Sequence, residues 1–371
     1  MWGSNYFRIV RSLLRQSAHS HGTDSLLAVI PFSDEGHPPM GERIGTELDG
    51  RLFTDLSTLT PANSVTSNEK FFIRTRASRL LDISRPWTIQ VMDLVEKPFT
   101  ISAVSLAQKA RPMGLHLMEC SGNTRTAHFG MMSVAAWDGV PLQEVLETSK
   151  PHRAGIRVLV SGFDRYQEES MDSEPGASWI FTPDELFSSK AFLATGMNGQ
   201  PLDVDHGAPV RLLVPGWYGC VCVKWVNQIE FVSDDAPATS QMREYAGRTM
   251  QRGVPDLARD YQPAVMDLAA MATRVEKWRI GGRIRYHVMG LQWGGSGASP
   301  AVEIRFGSNQ EFLPVQNIFS APGGDWSFWS YDWSPPKTGT FAIRLRPSAP
   351  NVSARRLSSG YYDRTVDIAE I

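Results

Sequence analysis

Two textures alternate along this chain. In its earlier part, short apolar runs end in glycine or in basic residues. In its last third, strands of alternating polarity follow one another, separated by glycine and proline. "WTIQVMDLV" (87–95) repeats with the period of two expected of a half-buried strand. "IRVLVSGFD" (156–164) and "PVRLLVPGWYG" (209–219) are β-rich runs with Gly near their ends, the pattern of buried strands feeding loops. "EKFFIRTRAS" (69–78) predicts a short apolar strand running into basic residues, and "VKWVNQIEFV" (223–232) predicts another strand. In "SWIFTPDELFSS" a helix start is expected, with Thr182 as cap and Glu185 three residues on.

The polar stretch "SDDAPATSQ" (233–241) has the look of a domain boundary. Beyond it, "RIRYHVMGLQW", "AVEIRFG", "WSFWSYDWS" and "GTFAIRLRP" predict an all-β sandwich over 241–371. The aromatics of "WSFWSYDWS" are expected in its core. Residues 1–40 are expected to form an N-terminal arm, and 41–240 a mixed α+β domain. A chain of 371 residues fits this division, being too long for one ordinary core.

Charge changes the picture by exclusion. The net charge of −2 gives no overall basic field, so neither nucleic acid nor a membrane surface is an expected partner. No apolar run is long enough to span a membrane. Arg8, Arg11 and Arg15 interrupt the apolar N-terminus, so a signal-peptide core is not expected there; a short amphipathic arm is. The visible N-terminus therefore suggests the cytoplasm, and the periplasm only with an export signal outside this sequence. Three cysteines, two of them in "CVC", are not a disulfide framework.

Candidate chemistry gathers in three places. In "LHLMECSGNTRTAHFG" (115–130) a strand-like run ends on Cys120, with small residues and Arg125 behind it. Cys120 can be an inert buried thiol, a nucleophile with His128 or His206 as base, or a metal ligand; Arg125 would favour thiolate. In "DVDHGAPVRLLVPGWYGCVCVKW" (203–225), His206, Arg211 and Lys224 surround a Gly/Pro-rich apolar segment and could hold an anion or phosphate. In "FFIRTR" (71–76), Arg74 and Arg76 share one side of a strand, as a solvated face or an anion pocket.

Taken in order, "FFIRTR", "ECSGNTR", "DHGAPVRLLVPGWYG" and "VKW" resemble the sulfite oxidase family of molybdenum-cofactor enzymes. The resemblance runs from about Pro31 to the C-terminus. It implies a sulfite oxidase-like molybdopterin-binding domain over 41–240, then an immunoglobulin-like sandwich over 241–371 that acts as a dimerisation domain. It implies Cys120 as the thiolate on molybdenum, with Arg74 and Arg125 as substrate arginines. Phe72, Ile73, Thr75, Arg76, Asp164, His206, Arg211, Cys222, Val223 and Lys224 would contact the molybdopterin. The implied reaction is two-electron oxygen-atom transfer to a small sulfur oxyanion, sulfite first, with electrons leaving to a separate carrier such as a cytochrome. A sulfoxide reductase on the same scaffold is the alternative; a cofactor-free binding protein is the third reading.

Against the family pattern, Pro175 stands where a pocket Tyr is expected, Ala127 or His128 where a Trp is, and Ala298 or Ser299 where a third arginine is. A pocket lacking one charge-assisted contact would bind a small dianion about 10- to 150-fold less tightly. His128, Arg76 or Tyr166 could compensate. With no His-Pro-Gly-Gly and no Cys-x-x-Cys-His segment, no haem is expected in this chain.

Overall fold

The computed structural model describes residues 24–33, 35–45, 49–75, 81–152, 156–163, 177–295, 301–322 and 326–371. Arg76, Asp164, Tyr166, Pro175, Ala298 and Ser299 lie outside them, as does the amphipathic arm expected at the N-terminus. Sheets dominate, and the helices are short. None among the described residues is long and apolar enough to cross a membrane.

Two sheets build the first core. One has the order Ser178–Phe181, Arg157–Gly162, Val226–Val232, Thr88–Asp93, Phe99–Ser102, with a parallel pairing only between Val226–Val232 and Thr88–Asp93. The other runs Gln200–Pro201, Phe192–Met197, Met132–Pro141, Arg111–Glu119, with Arg211–Leu213 paired to Phe192–Met197. The helix Pro183–Ser188 starts as the sequence predicts. Thr182 Oγ1 accepts from Glu185 N–H at 3.2 Å, and Glu185 Oε2 accepts from Thr182 N–H at 2.7 Å.

The second core lies between two antiparallel sheets, Ser25–Ile30, Ala269–Ile280, Arg283–Trp293, Trp326–Trp333, Gln316–Ser320 and Leu313–Pro314, Val302–Phe306, Gly339–Pro347, Arg364–Ile368. Trp326, Phe328, Trp329 and Trp333 fill it, and the Trp333 ring stacks on Phe306 of the facing sheet at 4.0 Å. Residues 25–30 thus contribute an edge strand to a sheet otherwise made after residue 268. The stretch 233–241 is packed: Ala236 and Ala238 are buried in the first core, and Ala238 N–H donates to Asp256 O at 2.7 Å. Membership of the two cores changes between Ala264 and Met266.

One hairpin serves both cores. In Arg111–Glu119 and Met132–Pro141, Met118, Ala135 and Trp137 face the first core, while Leu117, Met132 and Val134 face the second. Strand alternation with both faces apolar holds this hairpin between the two units. Its connecting loop begins at Cys120.

Candidate active site

Cys120 lies on the wall of a cavity of about 540 Å³. Arg74, Arg248 and Arg356 share that wall, and none of its lining residues is acidic. Soft and aromatic groups complete it: Met131, Met250, Tyr245 and Tyr361. Burial pushes the Cys120 thiol up, opposed by the Gly122 N–H and by the charges of Arg74 and Arg248. The expectation that a nearby Arg125 would make the group a thiolate is therefore corrected: desolvation outweighs the cations, and the cations named are other arginines.

Arg125 sits on a 3-10 turn, Arg125–Ala127, and is not part of the cavity wall. His128 follows in left-handed conformation and turns elsewhere. Its Nδ1 is 2.7 Å from Glu35 Oε2 and its Nε2 is 2.5 Å from Gly36 O. Glu35 is also paired with Arg364. Neither Ala127 nor His128 lines the cavity, so His128 does not replace a pocket arginine.

The loop bearing the thiol is clamped from the second unit. Glu119, fully buried, accepts from Trp293 Nε1 at 2.8 Å, Tyr362 OH at 3.0 Å and Asn123 Nδ2 at 3.3 Å. Burial raises its carboxyl pKa, although Arg356 and these donors pull the other way. Arg356 Nη2 donates to the carbonyls of Ser121 and Arg248, each at 2.8 Å. Tyr361 OH donates to Asn123 O.

Beside the cavity, the segments 71–75, 203–211 and 222–224 converge. Lys224 Nζ donates to Thr75 Oγ1 at 2.7 Å, to Asp205 O at 2.5 Å and to Arg74 O at 3.3 Å. Thr75 Oγ1 in turn donates to Asp205 O at 3.1 Å. The buried His206 ring has Nδ1 2.8 Å from Asp203 Oδ2, packs edge-on against Phe71 and has Nε2 3.4 Å from Phe71 O. Burial raises the Asp203 pKa, but its bonds to His206 win and the carboxyl lies below its ordinary value. Phe72 and Ile73 are buried, and Phe72 N–H donates to Ser133 Oγ at 3.0 Å. Val223 is buried, and Cys222 presents its carbonyl to Arg211 at 3.1 Å while its Sγ accepts from Val214 N–H at 3.5 Å. Cys220 and Cys222 both have thiols pushed up by burial.

Arg211 tests whether an anionic cofactor fits. Its guanidinium is buried and donates to His206 O at 3.0 Å, to Cys222 O and to the Met118 thioether. Its Nε has no partner, and among the described residues no carboxylate forms an ion pair with it. Burial lowers its pKa to about 10. Asp203 supports the guanidinium only at a distance; a buried cation with no anion in contact is costly, and a phosphate would supply one. Asp205 Oδ1 is likewise buried without a partner. Among the described residues no group of three His, Cys, Asp or Glu side chains is placed to hold a metal. A metal that arrives with its own sulfur ligands and needs one thiolate suits such a site.

Sequence reading found the converging segments but missed Arg248, Arg356, Tyr245 and the clamp on Glu119. Their only sequence signals are unremarkable basic and aromatic residues in "SQMREYAGRTM" and "SARRLSSGYYD".

Known proteins give the same direction. Residues 78–240 match the model of the oxidoreductase molybdopterin binding domain. The chain is 28% identical over 302 residues to a nitrate reductase [NADPH] of Beauveria bassiana, covering 68% of this chain and 33% of that protein. It is 28% identical over 274 residues to the protein-methionine-sulfoxide reductase catalytic subunit MsrP of Xanthomonas axonopodis pv. citri (68% and 81%). It is 29% identical over 199 residues to the mitochondrial sulfite oxidase of Mus musculus (48% and 35%). The match thus spans about a third of the nitrate reductase and of the sulfite oxidase. The crystal structure of the sulfane dehydrogenase SoxCD from Paracoccus pantotrophus shares the fold, with a TM-score of 0.63 and 19% identity over 83% of this chain and 78% of that one. The domain model and the relatives agree: residues 78–240 match an oxidoreductase molybdopterin binding domain, and the chain is similar to sulfite oxidases and other enzymes that carry it.

Proposed function

We infer that this chain oxidises a small sulfur oxyanion, sulfite first, and passes the electrons to a separate carrier such as a cytochrome. The observation that carries the reading is a cavity in which Cys120 meets three arginines and no carboxylate. Cys120 would hold the molybdenum. Arg211, His206, Lys224 and Thr75 would hold the molybdopterin with Phe72, Ile73, Cys222 and Val223; Arg76 and Asp164 complete the set that the family resemblance implies. When bound, the cofactor supplies two-electron oxygen-atom transfer. The protein's own work is electrostatic. Arg74, Arg248 and Arg356 draw a dianion out of water, orient it beside Cys120 and offset charge that develops as its sulfur is oxidised. Arg125, which resemblance alone marks as a substrate arginine, lies on the turn Arg125–Ala127 and not in the cavity wall.

A sulfoxide reductase is the second reading, favoured by the extent of the methionine-sulfoxide reductase match. Three cations suit a charged substrate better than a neutral sulfoxide. A homodimer through the paired sheets of the second unit completes the proposal.

The test is metal content with substrate-driven reduction. Purified protein should carry about one molybdenum per chain, lost in Cys120→Ser without loss of the folded state, and sulfite should generate a Mo(V) signal. Molybdenum-free protein from a molybdenum-replete host would sink the enzyme reading. Reduction by other sulfur oxyanions with silence towards sulfite would move the substrate, and a response confined to sulfoxides would favour the second reading.

A further inference from the structure

The wall opposite the thiol comes from the turn after the helix Ser240–Tyr245. Its main chain is fixed. Arg356 holds Arg248 O at 2.8 Å, Thr249 Oγ1 donates to Tyr245 O at 3.0 Å, and Gln251 N–H donates to Ala246 O at 2.9 Å. The Arg248 side chain is nevertheless exposed, with its guanidinium 5.3 Å over the Tyr245 ring. It also reaches the thiol loop. The vacant Cβ position of Gly122 is 3.7 Å from Arg248 Nη1 and 3.9 Å from Cys120 Sγ, which puts cation and sulfur within about 7.6 Å of each other. Around this cation the wall is soft and apolar, made by Tyr245, Met131 and Met250. The cavity of about 540 Å³ would also take the molybdenum on Cys120, so the case for a bulkier substrate rests on the chemistry of this lining and not on volume.

We propose that Arg248 and Tyr245 form a substrate-selecting wall that favours sulfur anions carrying an apolar or polarisable body over bare sulfite. Resting on the anionic-substrate reading above, the proposal narrows its class. The anionic head meets Arg74 and Arg356, Arg248 closes over it, and the body lies against Tyr245 and the two methionines, where thioether and ring faces give contacts a bare ion cannot use. Arg248 has a main chain held by others and an exposed side chain, which suits a group that meets substrate from the wall.

The experiment is calorimetric titration of the holoenzyme at low ionic strength with redox-inert probes, sulfate and butanesulfonate. Butanesulfonate should bind at least several-fold more tightly than sulfate. Arg248→Gln should weaken both about ten-fold or more, and Tyr245→Ala should erase the preference while leaving sulfate nearly unchanged. Arg85→Gln, outside the cavity lining and in an exposed pair with Asp82, should alter neither. Equal affinity for the two probes, or Arg248→Gln binding like the parent, overturns the proposal. These titrations read the wall without turnover. A protein reduced by no sulfur compound refutes the function reading, while one reduced by sulfite with an inert Arg248 refutes only the wall.

Discussion

Trp293→Phe tests whether the second unit sets the position of Cys120. Glu119 Oε2 has one hydrogen-bond donor among the described residues, the Trp293 indole at 2.8 Å, and both side chains are fully buried. Removing that donor leaves half of a buried carboxylate without a partner. A hydrogen bond to a charged group is worth about 1.5–3 kcal/mol. The phenyl ring also leaves part of the indole space empty, about 1 kcal/mol more. A loss of about 3 kcal/mol spread over 371 residues lowers a cooperative thermal midpoint by roughly 4 °C. The hydrogen-bond share is separable by a cycle with Glu119→Gln, in which a coupling of about 1–2 kcal/mol is expected.

The pH dependence gives a second readout. Burial raises the Glu119 pKa, so the folded state binds a proton the unfolded chain has lost. This group's contribution to stability therefore falls as pH rises from the ordinary carboxylate value towards the folded one. Trp293→Phe removes a donor that lowers the folded pKa and so extends that fall to higher pH, and Glu119→Gln removes it. Glu119 precedes the thiol directly, so Trp293→Phe should also lower molybdenum retention. Differential scanning calorimetry and metal analysis measure both effects. Equal destabilisation by Trp293→Phe in the parent and Glu119→Gln backgrounds refutes the reasoning.

Two further outcomes are expected. Asp267 accepts from Arg355 Nε at 2.6 Å and from Ser353 Oγ at 2.8 Å; burial raises its pKa, but these bonds outweigh it and leave the carboxyl lowered. Its stabilisation is present above the ordinary carboxylate pKa and is lost as pH falls through the folded value. Asp267→Asn should therefore cost about 1 kcal/mol at neutral pH, allowing for the half-exposed arginine, and nothing in acid; a constant difference across pH would refute this. At Gly290 an added Cβ would lie 2.1 Å from Trp329 Cζ2 and 2.2 Å from Met271 O. Gly290→Ala should lose roughly 3 kcal/mol or more, and an unchanged urea midpoint would refute the packing described.

The strands of the second unit were legible from alternating polarity: Arg283–Trp293 and Gly339–Pro347 match the predicted segments residue for residue, although burial alternates in Gly339–Pro347 while Val288–Trp293 is buried on both faces. The run 69–78 was read too generously. Phe71 and Phe72 turn into the first core, Asn68–Lys70 form a 3-10 turn, and among the described residues of the run the strand is Ile73–Arg74. The site was legible where it is local in sequence, as in the cluster of 203–211 and 222–224. Arg356 and Trp293 were not, since their contacts reach Ser121 and Glu119 across 235 and 174 residues, and no local pattern encodes such a meeting.

The edge strand Ser25–Ile30 also governs the order in which the molecule can be made. Its partner begins about 240 residues later, with Ser25 opposite Arg279 and Ile30 opposite Val275. A ribosome-bound chain holds this apolar strand, with Leu26, Leu27 and Val29 exposed even in the finished sheet, long before anything exists for it to pair with. Such distant pairing is slow and leaves an unpaired segment open to association with other chains. Arg356 and Tyr361 are synthesised later still, so the cavity around Cys120 is complete only after residue 361 has been made. Until then the thiol of Cys120 stands in a wall that lacks its third arginine.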